Sequence, residues 1–150
     1  GFTIPRHEVF MGQAMTRSRP NQMMRLYRKN KADWDLVRLV HEHVQVQGAT
    51  GRLAPHMIHY GNDTIEKALG KINRYSSLKA QQNHQAGKRG SIPKMLTAPI
   101  AYFLRDLVIR GYWKEGLAGF IYASLQAVYS FLSEAKLLEL SKSASEPAAD

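Results

Sequence analysis

Between Glu115 and Glu134 the chain runs for 18 residues without a charged side chain, and no other feature limits its possible folds as strongly. A bilayer span needs about 20 predominantly apolar residues, and this run approaches that length. Gly116, Gly119, Ser124, Gln126, Ser130 and Ser133 interrupt it with small and polar groups. The mixture favours one long helix, from about Glu115 to about Leu140, lying in a membrane plane or buried in protein.

Two further helical stretches precede it. Asn62-Asp63-Thr64 opens the first, with Asn62 or Asp63 as N-cap and Glu66 near the positive end of the dipole. Ile65, Leu69, Ile72 and Tyr75 or Ser76 share one face, while Lys67, Lys71, Arg74 and Lys79 make much of the rest basic. Gly87-Lys88-Arg89-Gly90 ends it in a basic loop able to meet phosphate. Ser91-Ile92-Pro93 restarts helix, and Pro99 is expected to interrupt or kink it. Arg105, Arg110 and Lys114 stand beside Tyr102, Tyr112 and Trp113, a mixture that suits an anionic membrane interface.

The first third reads as strands. Residues 1–4 are strand-like and Pro5, which has no N–H, is expected to end that ladder; Arg6 to Pro20 reads as a surface loop. Gln22 to Arg28 alternates as a second strand, turned by Lys29-Asn30-Lys31. Asp33-Trp34-Asp35 has the form of a metal-diphosphate pair, but such pairs arise often by chance and Asp35 equally suits a cap. Leu39 to Val46 alternates as a strand with Glu42, Val44 and Val46 on one side and His41, His43 and Gln45 on the other. If the Val face is inward, Glu42 is desolvated and suited to general-base work; a strand-end Glu facing water is the plainer alternative, which periodicity alone favours. Gly48-Ala49-Thr50-Gly51 then turns the chain into a short extended piece, Leu53 to His59.

Twenty-one Lys and Arg against twelve Asp and Glu give a net charge of +9, which calls for an anionic partner. The absence of cysteine excludes disulfides, thiolate metal sites and a Cys nucleophile. Four of the six histidines fall between 41 and 59, so a zinc protein using His41, His43, His56 and His59 is one alternative, although the spacing is not that of a helical zinc motif. A basic nucleic-acid-binding module is another. It requires stacking aromatics on an exposed basic sheet, whereas the aromatics here lie mainly in the C-terminal apolar helices.

The order and spacing of several stretches resemble the C-terminal part of bacterial family 2 glycosyltransferases of the GT-A type, in particular those of lipopolysaccharide core biosynthesis. The resembling stretches are Gly1-Phe2-Thr3-Ile4-Pro5-Arg6 with Phe10 and Gly12, Arg25-Leu26-Tyr27-Arg28, and Trp34 leading to Val40-His41-Glu42. They continue through Leu53 to His59, Lys71-x-Asn73-Arg74-Tyr75, Gly87-Lys88-Arg89, Pro99 with Phe103, Arg110-Gly111-Tyr112 and Glu115-Gly116-x-x-Gly119-Phe120.

That resemblance implies an α+β fold, a few strands followed by three mainly amphipathic or apolar helices. Residues 1–61 would form the acceptor-side strand and loop region, 62–140 a helical membrane-docking region and 141–150 a disordered tail. It implies transfer of a sugar from a nucleotide diphosphate sugar to a lipid-linked acceptor, a divalent cation (Mg or Mn), and a peripheral place on the cytoplasmic face of the bacterial inner membrane. By similarity Glu42 is the catalytic base, His59 and His41 approach the metal or diphosphate, and Arg25, Lys71, Arg74, Lys88 and Arg89 meet phosphate. The family's nucleotide-binding half would lie upstream of Gly1.

Overall fold

The computed structural model describes residues 1–34 and 44–143. Its architecture is α+β, and its axis is one strand, β1 (Phe2–Phe10). Two short antiparallel strands pair with it, β2 (Gln13–Ala14) and β3 (Asn21–Leu26). Ala32–Trp34 (β4) and Val44–Val46 (β5) form a separate two-stranded ribbon. Gly51–Arg52 (β6) and Met57–His59 (β7) return to β1 and pair with it in parallel, opposite Phe2–Thr3 and Arg6–Glu8.

Pro5 does not end the ladder; it is fully buried within β1, opposite Gln22. The backbone explains why. The N–H groups of Gly51 and Leu53 donate to the carbonyls of Gly1 and Thr3, so odd-numbered residues here turn their polar groups toward the parallel edge. Pro5 shares that parity, and its missing donor falls in the gap between β6 and β7.

The stretch from Arg6 to Pro20 is likewise not a surface loop. His7, Glu8, Val9 and Phe10 are all buried, and Phe10 and Met15 are 0% and 1% exposed. A strand covered on both faces loses its period-two alternation, and three ionisable residues in succession disguise it further. Met11 and Gly12, both at positive φ (51° and 76°), close the two-residue turn to β2. In β5, Val44 and Val46 are half-buried and Gln45 is exposed, the polarity the alternation predicts.

Helix α1 spans Ile65–Gln85 and its N-cap is Thr64, whose hydroxyl accepts from Lys67 N–H; Asp63 instead pairs with the Lys67 ammonium at 2.8 Å. Its buried face is Ala68, Ile72, Ser76 and Ala80, whereas Ile65, Leu69 and Tyr75 are exposed. Small side chains at i+4 spacing admit the long helix α3 (Gly116–Ser143) at close range. Lys136 on α3 reaches into that seam, its three ammonium hydrogens shared among Asn73 O, Asn73 Oδ1, Ser76 Oγ and Ser77 Oγ at 2.7–2.8 Å. Burial lowers the pKa of its ammonium.

Helix α2 (Ile92–Leu104) continues through Pro99 without interruption, since the proline removes only one intrahelical donor. A wider π-helical turn, Arg105–Ile109, follows it, and a 3-10 turn, Tyr112–Glu115, leads through Gly116 (φ 64°) into α3. Helix α3 extends to Ser143, so residues 141–143 are helix and not tail; residues 144–150 lie outside the described part. The main core joins Phe10 and Met15 of the hairpin to Ile72 of α1 and to Tyr112, Tyr122 and Leu125.

Candidate active site

The parallel register of β1 and β7 sets Glu8 beside His59. Glu8 is 4% exposed, and its two carboxylate oxygens are divided between two partners. Arg6, two residues back on the same face of β1, donates from Nη2 to Oε1 at 2.6 Å. His59 Nδ1 lies 2.7 Å from Oε2. A carboxylate only accepts, so Nδ1 carries the hydrogen and a neutral His59 ring keeps its lone pair on Nε2. Gly61 lies against that ring where a Cβ would collide with it, and the Gly61 carbonyl accepts from Lys71 Nζ at 2.5 Å. The turn after β7 thus holds an oriented imidazole with a lysine next to it.

His7 points to the other face of β1. Its Nδ1 donates to Met15 O at 2.8 Å, and its Nε2 lies 2.6 Å from His56 Nδ1, the two rings nearly parallel. With Nδ1 donating, a neutral His7 accepts at Nε2 from the His56 N–H. The two histidines before and in β7 therefore serve different partners.

A water-sized recess lined by Arg6, Glu8, Arg19, Asn21 and Tyr112 lies beside the Arg6–Glu8 pair. The helical layer fixes its wall. Asp106, fully buried, accepts from Arg105 Nε at 2.7 Å and lies 3.4 Å from Arg110 Nε. Arg110 takes the Arg19 N–H on its carbonyl and reaches Asn21 Oδ1 with its guanidinium. Glu115, 6% exposed, accepts the backbone N–H groups of Arg17 and Ser18 at 2.7 and 2.6 Å. Burial raises the pKa of the Tyr112 phenol, an effect that the neighbouring Arg110 guanidinium partly opposes.

The other residues singled out from the sequence are dispersed. Lys71 belongs to this site, but Arg25 is exposed on β3 near the opposite end of β1, and Arg74 is exposed on α1. Lys88 and Arg89 are exposed beyond the far end of α1, whose 21 residues span about 30 Å. Asp33 is exposed on β4, opposite Gln45. Glu42, His41 and His43 lie outside the described residues, as does Asp35. Among the described residues no three His, Asp or Glu side chains are grouped to hold a metal ion. Arg6, His7 and Glu8 are not legible as site residues in the sequence because Pro5 there reads as a strand end. The available signal was the apolar flanks, Phe2 to Ile4 and Val9-Phe10, which bracket them at strand length.

Comparison with known proteins gives this geometry a family context. Over 142 residues, 93% of the chain, it is 34% identical to the lipopolysaccharide core biosynthesis glycosyltransferase LpsC of Rhizobium meliloti. The chain resembles part of a lipopolysaccharide core glycosyltransferase. It spans about half of LpsC (53%), and over 83 residues it is 39% and 37% identical to uncharacterized glycosyltransferases of Rickettsia typhi and Rickettsia prowazekii, covering 28% of each. These matches cover 55% of the chain. No family model and no solved structure matches it.

Proposed function

We propose that this chain is the acceptor-side portion of a family 2, GT-A-type glycosyltransferase. The enzyme moves a sugar from a nucleotide diphosphate sugar to a lipid-linked saccharide such as lipopolysaccharide core, at the cytoplasmic face of the inner membrane. The observation that carries this reading is the 34% identity to LpsC across 93% of the chain. Glu42 is the base. Its carboxylate takes the proton of the acceptor hydroxyl as that oxygen bonds to the anomeric carbon and the bond from that carbon to the diphosphate oxygen breaks. Lys71, near His59 through the Gly61 carbonyl, and the Nε2 of the His59 ring held by Glu8 are the groups that would meet an anionic leaving group or acceptor phosphate. Arg25, Arg74, Lys88 and Arg89 are spread widely enough to meet phosphates of an extended acceptor, not one compact diphosphate.

A divalent cation, Mg or Mn, is implied by the family resemblance and supplies charge compensation on the diphosphate when bound. The described residues do not fit a site for it: His59 has given Nδ1 to Glu8, whose carboxylate is in turn taken up by Arg6 and His59, and no three His, Asp or Glu side chains are grouped there. His41, the other residue implied, lies outside the described residues. No step above runs through the cation.

The test is nucleotide release from a panel of nucleotide diphosphate sugars with magnesium or manganese and a lipid-linked acceptor, using this chain and a longer protein that contains it. Acceptor-dependent release is expected, and Glu42→Gln should lower it by about 10²–10⁴-fold with donor binding nearly intact. Unchanged turnover in Glu42→Gln removes the base assignment. No acceptor-dependent release from either folded protein overturns the reading.

A further inference from the structure

Helix α2 is built almost wholly of apolar residues, with Lys94 its one charge, yet none of its residues is buried. Ile92, Leu96, Ile100 and Leu104 recur every fourth position and Val108 extends the row into the π-helical turn. Each is 52–62% exposed. The row runs along about 24 Å of helix axis, since 16 residues at 1.5 Å each separate its ends. Beyond it Ile109, Trp113 and Leu117 are 60–69% exposed. An apolar face of this size on a soluble surface marks an interaction site.

The charges around the row identify what covers it. From Gly87 to Lys114 the only acidic residue is Asp106, which is fully buried and bonded to Arg105. Of the cations, Lys88 and Arg89 lead exposed into α2, Lys94 in its first turn pairs with Glu134 of α3 at 2.8 Å, Arg105 and Arg110 are half-buried beside Asp106, and the exposed Lys114 ends the segment. Two of them meet aromatic rings, Arg105 over Tyr102 at 4.3 Å and Lys114 over Trp113 at 5.7 Å. An exposed apolar row with aromatic–cation pairs beside it and an excess of cations, Lys88, Arg89 and Lys114, beyond the pairs Lys94–Glu134 and Arg105–Asp106, matches the boundary between acyl chains and anionic headgroups. The inner side of α2 packs on α3, with the Phe103 ring edge-on to Phe120 and Lys94 paired with Glu134, so its outer row is what remains uncovered.

We infer that the α2 face, from Ile92 through Val108, lies in the plane of a bilayer and docks the protein on an anionic lipid surface. The apolar row enters the acyl boundary while Lys88, Arg89 and Lys114 meet headgroup phosphates. This deepens the membrane placement of the proposed function and rests on it for that alone; vesicle binding is read separately from sugar transfer.

The test is co-sedimentation of the folded chain with vesicles of phosphatidylglycerol and phosphatidylethanolamine, with phosphatidylcholine vesicles as comparison. Binding to the anionic vesicles is expected, with Leu96→Asp and Ile100→Asp each weakening it about tenfold or more. Both positions face water, so unchanged far-UV circular dichroism is expected. Lys88→Glu with Arg89→Glu should also weaken binding and reduce its sensitivity to salt. Absence of binding overturns the inference, as does binding that both Asp variants leave untouched. Self-association without vesicles that the same Asp variants abolish also overturns it, assigning the face to a second copy of the chain.

Discussion

Glu115 closes the helical layer onto the strand hairpin, and the effect of removing it can be worked out from its contacts. Its Oε1 accepts the N–H of Ser18, which is buried, and the N–H of Arg17, whose residue is exposed. In Glu115→Ala the Arg17 amide regains water, a loss of about 1 kcal/mol, whereas the Ser18 amide is left dry at a cost of about 1–3 kcal/mol. The sum is about 3 kcal/mol, a large share of the 5–15 kcal/mol typical of a domain. For a chain of this length that lowers Tm by roughly 6–12 °C. Glu115→Gln keeps a neutral oxygen in place and loses only the charge assistance, about 1 kcal/mol or roughly 2–4 °C. The assay is thermal unfolding by circular dichroism, supported by urea midpoints at constant m. The reasoning is refuted if the Ala variant melts within about 2 °C of the parent, or if Gln is as damaging as Ala.

Burial raises the Tyr122 phenol well above the ordinary value near 10. The folded state therefore keeps a proton that the unfolded chain gives up, so stability is full below pH about 10 and falls above it; Tyr122→Phe should flatten that alkaline decline in urea titrations. Gly70→Ala, on α1 with open space around the new methyl, should stabilise by about 0.5–1 kcal/mol in urea unfolding. Gly90→Ala should destabilise by about 2–3 kcal/mol, because its Cβ would stand 2.6 Å from Leu138 Cα in the main chain of α3. Glu8→Leu leaves the Arg6 guanidinium without its carboxylate and should cost about 2–4 kcal/mol by urea midpoint, with Arg6→Leu plus Glu8→Leu costing less than the two single changes summed.

The helical half was legible in the sequence because its signals are local. Ser91 caps where a polar residue precedes an apolar run, Gly87 takes the positive φ that ends α1, and the charge-free run from Gly116 became α3; the start of α1 was legible but its cap is Thr64, not Asn62 or Asp63. The buried face of α1 was not, because Ala68, Ser76 and Ala80 are selected by close approach of α3 and leave the larger Leu69 and Tyr75 outside. In the strand half, the inward side of Val44 and Val46 follows from alternation, but β1 does not. Its identity depends on β6 and β7 arriving from more than 40 residues away, and on a gap between them that accommodates Pro5. The Glu8–His59 pair depends on the same long-range register, so a pass along the sequence finds the histidine and not its carboxylate.

Every pairing in the five-stranded sheet goes through β1, and no other two of its strands pair with each other. Such a sheet has no redundancy and no route for fraying inward from one edge strand to the next. Amides on β3 and β7 should therefore open separately in hydrogen exchange, a perturbed flank losing protection alone, and only an opening of β1 should expose both.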